Sequence, residues 1–225
     1  PALLRGYHGD YDKLTEKRRE QAALDLEKRL QQRPDYQAYQ AKQTEREVER
    51  LVSFIAEEVA GGRQEAAATA LAEARADAKF ASFLPRFSEV EAQLTLLRDV
   101  DRLIADGFLG EVGKTITVAF TDGPLDYHIL AVKDGVIEAE RTLVHLGKVQ
   151  RRIRPGELTA KERYLRLGEE KTPQRNLLRG LLLLEVQRPK TAEPWFADAG
   201  GPLGLALAAL AHRLAEPPAP PAPTP

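Results

Sequence analysis

The sequence contains no cysteine and no methionine among its 225 residues. The absence of cysteine excludes disulfides, thiolate nucleophiles and cysteine-ligated zinc sites. Because the chain begins at Pro1 and has no methionine, we expect it to be a segment of a larger multidomain protein. Neither absence identifies a cellular compartment, so the sequence leaves the localisation unknown.

Long apolar runs and recognisable enzyme motifs are also missing. No run approaches the roughly 20 apolar residues that a membrane span requires, and there is no recognisable signal peptide. Phosphate-binding loops, dinucleotide fingerprints, the G-x-S-x-G motif and paired-histidine zinc motifs do not occur. We therefore expect a soluble, non-catalytic chain that requires no cofactor.

The chain does contain one strand-like segment, residues 113–154, among regions of otherwise helical composition. Alternation of apolar and polar residues predicts four strands, with Tyr127 on the apolar face of the second. Three short turns are predicted, at Asp122–Gly123, Asp134–Gly135 and Gly147–Lys148. Because such turns leave no room for the crossovers of a parallel sheet, the segment is expected to be an antiparallel meander.

The predicted fold class is α+β. An N-terminal helical hairpin and a long helix from Pro85 to about Asp106 lead into a four-stranded antiparallel meander or small barrel, and a C-terminal helical bundle follows. The capping-box sequence Thr159–Glu162 is expected to begin that bundle. The expected organisation is a linker at 1–11, a helical region at 12–110, the meander at 111–158, the helical bundle at 159–216 and a proline-rich tail at 217–225.

Residues 172–204 combine small and aromatic residues at a defined spacing: Gly180, Ala192, Phe196 and Ala199. In this pattern the segment resembles a single tetratricopeptide-type repeat. The resemblance implies that Gly180 and Ala192 let paired helices touch while Phe196 fills the groove. From the residues themselves, Thr191 and Pro194 are expected to open the second helix. The family is known for protein–protein interaction, so the resemblance implies a protein partner, without identifying it.

Residues 172–204 depart from the repeat pattern at two positions in the first helix. Asn176 and Arg179 stand where the repeat usually has apolar residues. Residues 113–154 resemble, more loosely, the small SH3-like or Sm-like antiparallel barrels. That second likeness is one of shape only, because no motif specific to either family is present.

Basic residues are concentrated between 148 and 190, where twelve Lys or Arg face five Glu, a local excess of seven in a chain of net charge −1. Those around the last strand and the next helix form what we call the basic cluster: Lys148, Arg151, Arg152, Arg154, Lys161, Arg163 and Arg166. On the strand, Arg152 and Arg154 are predicted to share one face and Arg151 to point the other way. Such a face suits phosphates, which makes nucleic-acid or other polyanion binding an alternative function. The structural interpretation is that the arginines pair with Glu138, Glu140 and the acidic helices.

A second alternative is a metal-dependent enzyme. Asp126 and His128 are predicted to share one face of the second strand, with Asp122 in the preceding turn. These three residues have the chemistry of metal ligands or of an acid–base pair. The same residue types are also common on the solvent face of a half-covered sheet.

The favoured hypothesis is a non-catalytic scaffold or protein–protein interaction module. Its partner is expected to bind in the groove of the C-terminal helices and to contact Trp195 and Arg152. An exposed tryptophan is typical of interfaces, although Trp195 is also placed to pack against the last helix. The sequence leaves the oligomeric state open.

Overall fold

The structure, a computed structural model, describes residues 16–25, 28–29, 33–143 and 147–216. The chain divides into two compact units between Glu49 and Arg50, inside a long helix. The predicted linker at 1–11 and the predicted tail at 217–225 lie outside the described residues.

The predicted α+β class is confirmed: along the sequence, helices precede and follow a four-stranded antiparallel sheet. The helices are α1 (16–25), α2 (Pro34–Ala60), α3 (Gln64–Ala76), α4 (Leu84–Leu96), α5 (Val100–Asp106), α6 (Ala160–Arg166), α7 (Pro173–Glu185), α8 (Pro189–Ala199) and α9 (Gly201–Ala215). The strands are β1 (Thr115–Phe120), β2 (Gly123–Lys133), β3 (Val136–Leu143) and β4 (Gly147–Ile153). No helix in these described stretches is long and apolar enough to cross a membrane.

The sheet is a meander with strand order β1-β2-β3-β4. Between β2 and β3, Asp134 and Gly135 both have positive φ angles, 51° and 75°, as a tight hairpin turn requires. The first turn is displaced by one residue from its predicted place. Phe120 already pairs with Gly123, so Thr121 and Asp122 form the loop. The third turn, predicted at Gly147–Lys148, is also misplaced, because both residues pair with β3 inside β4. The sheet is open, because the strand order does not bring β1 beside β4.

One face of the sheet is buried, since α5 contacts β2 and β3 while α6 contacts β1. The inner face consists of buried side chains at alternating positions: Val118, Phe120, Tyr127, Ile129, Ile137, Ala139 and Ile153. Cross-strand register puts polar side chains on the outer face: Thr115, Thr117, Asp126, His128, Glu138, Glu140, Thr142, Lys148, Gln150 and Arg152. The two-residue period predicted from the sequence therefore separates core from solvent.

The long helix predicted from Pro85 to Asp106 is wrong in one respect, because the structure has two helices, α4 and α5. The break follows Leu96, whose carbonyl oxygen accepts a hydrogen bond from Gln174 Nε2 at 2.6 Å. A side chain of α7 thus replaces the interrupted helical bond. Leu97, which ends α4, is buried, with 2% of its surface exposed.

The capping box predicted at Thr159 is only half present. Thr159 Oγ1 accepts a hydrogen bond from the Glu162 amide at 3.2 Å, as expected. The Glu162 carboxylate binds Arg166 instead of reaching back to the Thr159 amide. That amide is already used, since it donates to the Ala119 carbonyl of β1 at 3.0 Å. The start of α6 is therefore joined to the sheet.

In the C-terminal bundle, α8 packs against both α7 and α9. A Cβ atom at Gly180 would lie 2.4 Å from the ring of Phe196, so only glycine permits this approach of α7 to α8. Phe196 is fully buried. The predicted start of α8 at Thr191 and Pro194 is wrong, because the helix begins at Pro189, where a proline ring suits the first turn.

Candidate functional site

Strand β4, which carries the first residues of the basic cluster, is an edge strand of the sheet. Its seven residues pair with β3 without a bulge, from Leu143 opposite Gly147 to Ile137 opposite Ile153. This register places Arg152 opposite Glu138 on the outer face and Arg151 on the inner face. The predicted opposite orientations of Arg151 and Arg152 are thus confirmed, whereas Arg154, predicted on the face of Arg152, lies just after the strand ends at Ile153.

Four members of the basic cluster are held in ion pairs within the chain. The pairs are Lys148–Glu140, Arg151–Glu157, Arg163–Glu185 and Arg166–Glu162. The guanidinium of Arg166 also lies 4.0 Å from the centroid of the Phe108 ring. Pairing within the chain thus accounts for four of the cations, but of the two strand carboxylates expected as partners only Glu140 is used, and by Lys148 rather than by an arginine.

Arg151 is the most strongly engaged member of the cluster on β4. Its Nη1 donates to the Tyr127 hydroxyl at 3.1 Å and its Nη2 donates to Glu157 Oε2 at 2.5 Å. The hydrogen bonds to Tyr127 and to Glu157 raise the pKa of Arg151. Burial raises the pKa of Glu157, but hydrogen bonds from the Arg154 amide and the Arg151 guanidinium outweigh burial, so the net pKa is lowered. The guanidinium also lies 4.7 Å from the Phe120 ring centroid.

The other three members of the cluster, Arg152, Arg154 and Lys161, are exposed. Within the part of the chain that the structure describes, none of their side chains forms an ion pair. Glu138 stands opposite Arg152 in the register without closing a salt bridge. The structure therefore separates a cluster that looked uniform in the sequence into four structural residues and three available ones.

A cleft of about 620 Å³ lies on the outer face over β1, β2 and β3, and it includes Asp126 and His128. Thr117 Oγ1 donates to Asp126 Oδ1 at 2.6 Å, and Thr115 Oγ1 lies 3.3 Å from His128 Nδ1. Asp122 is not part of the cleft wall. Among the residues described, no three or more His, Asp or Glu side chains are grouped so as to hold a metal ion. The structure thus does not assemble the trio that the metal hypothesis requires.

Trp195 is half-buried on α8. Its ring meets Tyr164 edge to face at 6.5 Å, and the Arg179 guanidinium lies 4.8 Å from its centroid. Arg179 is only 2% exposed and donates to Asn176 Oδ1 at 3.2 Å and to the Gly168 carbonyl at 2.5 Å. The two polar residues that depart from the repeat pattern therefore hydrogen-bond to each other, and part of the Trp195 surface is used for packing.

Three partners in these networks were not found by sequence reasoning: Glu157, Tyr127 as a hydrogen-bond acceptor, and Gln93. Gln93 donates to the Gly200 carbonyl at 2.7 Å and accepts from the Leu203 amide at 2.9 Å, which joins α4 to α9. Those partners lie 107 and 110 residues away. A pattern within one helix carries no signal for such contacts, whereas Pro155–Gly156 is a local turn signal next to Glu157, which reaches Arg151.

No protein-family model, no curated protein and no solved structure matches this chain.

Proposed function

We propose that this chain is a non-catalytic protein-interaction module whose partner binds at β4 and contacts Arg152. The observation that carries the proposal is that the edge strand β4 has an exposed cation with no ion-pair partner among the described residues. Arg152 is exposed on β4 without an ion pair, while four neighbouring cations are paired within the chain. An exposed charge beside an unpaired strand edge suits the recognition of another chain.

The candidate catalytic groups support a binding function rather than an enzymatic one. Asp126 is already bonded by Thr117, and His128 is in contact with Thr115. Side chains that are bonded in this way along one face resemble ordinary cross-strand pairs of a solvent-exposed sheet. Their arrangement requires no substrate to explain it.

Polyanion binding through the basic cluster remains the alternative function. Three cations are available to it, but a nucleic acid lying across the outer face would also meet Asp126 on β2 and Glu138 and Glu140 on β3, which would repel its phosphates. The aromatic rings that lie against Arg151, Phe120 and Tyr127, are buried on the inner face and cannot stack on bases. These observations favour a protein partner.

Site-specific photo-cross-linking in an extract of the cells that make the chain tests the proposal. A photoreactive amino acid replaces Val149 on β4, which is 41% exposed, and separately replaces Val186 after α7, which is 44% exposed. The two sites match in residue type and exposure but lie on different elements, β4 and the end of α7. We expect a defined protein adduct from position 149 only. We also expect Arg152→Ala to reduce its yield about threefold or more.

Trp195 is tested in the same experiment. A lower adduct yield from Trp195→Ala would show that the exposed part of the ring belongs to the interface, and an unchanged yield would show that it does not.

Equal adducts from positions 149 and 186, or adducts that Arg152→Ala leaves unchanged, would contradict the proposal. A labelled mixed-sequence RNA is added in parallel at low and at moderate salt. Tight, salt-sensitive RNA binding that is lost with Arg152→Glu would instead support the polyanion alternative.

A further inference from the structure

The two edges of the sheet differ in how their backbones are covered. At the β1 edge, the Thr159 amide donates to Ala119 and the Thr121 amide donates to Glu157. Phe120 also forms an isolated antiparallel bridge with Leu158. Residues 157–159 therefore close one end of β1.

At the β4 edge no such cover is found in the described part of the chain. The backbone groups of β4 pair with β3 alone, and no other described backbone donates to residues 147–153. In an antiparallel strand about half of the residues direct their N–H and C=O groups away from the neighbouring strand. Strand β4 therefore presents unpaired donors and acceptors along about 23 Å, the length of seven extended residues.

The regularity of β4 makes this edge suitable for another strand. A β-bulge twists an edge and interrupts its hydrogen-bond spacing. The register between β2 and β3 shifts near Ile129 and Ala131. The pairing of β3 with β4 has no such shift over its seven residue pairs. The spacing of groups along β4 thus matches that of an extended peptide.

The side chains of β4 indicate the charge of a partner. The strand sequence GKVQRRI contains three cations and no acid. Lys148 and Arg152 lie on the outer face, and Val149, on the opposite side of the strand, is exposed. Two β4 edges placed together would bring like charges together, which opposes a second copy of this chain. Lys148 and Arg151 are already paired with Glu140 and Glu157, so an acidic strand would find the unpaired charge of Arg152 and an apolar contact at Val149.

We propose that the partner supplies an extended acidic segment, with alternating acidic and apolar residues, that pairs with β4 as a fifth strand. This inference rests on the proposed function and narrows it to one chemical class of partner. Backbone hydrogen bonds provide the affinity in such strand addition, and the side chains provide the choice of partner. Acidic side chains would lie on the outer face beside Arg152, whose charge no described carboxylate pairs, and the apolar ones would share the side of Val149.

A labelled peptide of sequence EVEVEVE tests the inference by fluorescence anisotropy with the intact chain. We expect saturable binding, and binding at least about tenfold weaker for KVKVKVK, in which each acid is replaced by a cation. Two further versions carry N-methyl groups on alternate amides, one in each of the two possible registers. Only one register donates to β4, so we expect one version to lose binding at least about tenfold and the other to retain it.

Variants of the chain locate the bound peptide. Arg152→Glu is expected to weaken EVEVEVE binding about fivefold. Lys190→Glu, an equal charge reversal at an exposed position of α8, is the matched control and should leave binding unchanged. Amide hydrogen exchange is expected to slow in β4 and not in β1 when the peptide is bound.

Equal binding of both N-methylated peptides would overturn strand addition, because only charge would then be recognised. Absence of EVEVEVE binding would overturn it as well. Tighter binding of a mixed-sequence RNA than of the peptide would overturn it in favour of a polyanion. The proposed function is tested separately by the cross-linking experiment. A protein adduct from position 149 together with no EVEVEVE binding would support the interaction module and overturn only the fifth strand.

Discussion

The C-terminal helices and the sheet use arginine in opposite ways. Arg179 on α7 is enclosed by Asn176, the Gly168 carbonyl and the Trp195 ring, with no carboxylate among these contacts. Arg152 on β4 is exposed and is held by none of the described residues. The comparison shows that the charge of a residue does not determine its role. The neighbouring groups decide whether an arginine is part of the core or is available to a partner.

The same contrast extends to the surrounding elements. In the bundle, α8 is covered by α7 on one side and α9 on the other, and Phe196 fills the space between them. In the sheet, one face is covered and β4 is open. Substitutions in the bundle should therefore change stability, whereas substitutions on β4 should change binding. The predictions below test that division, beginning with the largest expected effect.

Removal of the Phe196 side chain should give the largest loss of stability. Because the ring is fully buried, Phe196→Ala is expected to lower the free energy of unfolding by about 3–5 kcal/mol. Chemical denaturation followed by circular dichroism measures the change. The control is Leu205→Ala on the adjacent helix α9, where the side chain is 61% exposed, and its cost should be within about 0.5 kcal/mol. Similar costs for the two variants would show that the bundle is not closed around Phe196.

The buried polar pair of α7 provides the next prediction. Arg179→Leu removes the donor that Asn176 Oδ1 accepts from and leaves this buried oxygen unpaired, at an expected cost of about 2–3 kcal/mol. The double variant Arg179→Leu with Asn176→Leu removes both partners and should recover most of that loss. Denaturant midpoints give the energies. The fluorescence of Trp195, the one tryptophan in the sequence, reports the loss of the cation above its ring. A double variant that is less stable than the single one would contradict this account.

A methyl group at Gly180 should have a somewhat smaller effect. The added Cβ would lie 2.4 Å from the Phe196 ring, so Gly180→Ala is expected to cost about 1–3 kcal/mol through overpacking. A shorter side chain at position 196 should relieve the clash. In a double-mutant cycle, Gly180→Ala should therefore cost less in a Phe196→Leu background than in the original chain. Equal costs in both backgrounds would show that the two positions do not share the contact.

The sequence predicted those features of the fold that depend on local pattern. The two-residue alternation placed Tyr127 on the buried face of the sheet, because a strand turns its side chains to opposite sides in succession. The residues Asp134–Gly135 predicted a turn, because both positions need positive φ angles. Both predictions are confirmed. The tetratricopeptide-type resemblance and the function remain predictions.

Features that depend on distant partners were not predictable in the same way. The break after Leu96 is stabilised by Gln174, 78 residues later, and nothing in the α4 sequence signals that bond. The sequence shows the basic cluster as an excess of positive charge. Which of its members are paired and which are available depends on where each carboxylate lies in the fold. Glu157 reaches Arg151 because the chain turns at Pro155, whereas Glu138 leaves Arg152 unpaired.

The smallest expected effect concerns the ion pair that anchors the inner side of β4. The pKa of Glu157 is lowered in the folded chain, so its contribution to stability is present above the ordinary carboxyl pKa of about 4.3 and is lost as the pH falls through the lowered value. Both side chains of the pair are 36% exposed, and solvent screening therefore limits the expected contribution to about 0.5 kcal/mol. Glu157→Gln cannot titrate at this position. The stability advantage of the original chain over this variant should be largest near pH 7 and should shrink as the pH is lowered towards 3. Denaturation of both proteins over this pH range measures the difference, and an advantage that is the same at every pH would show that the carboxylate charge does not anchor the strand.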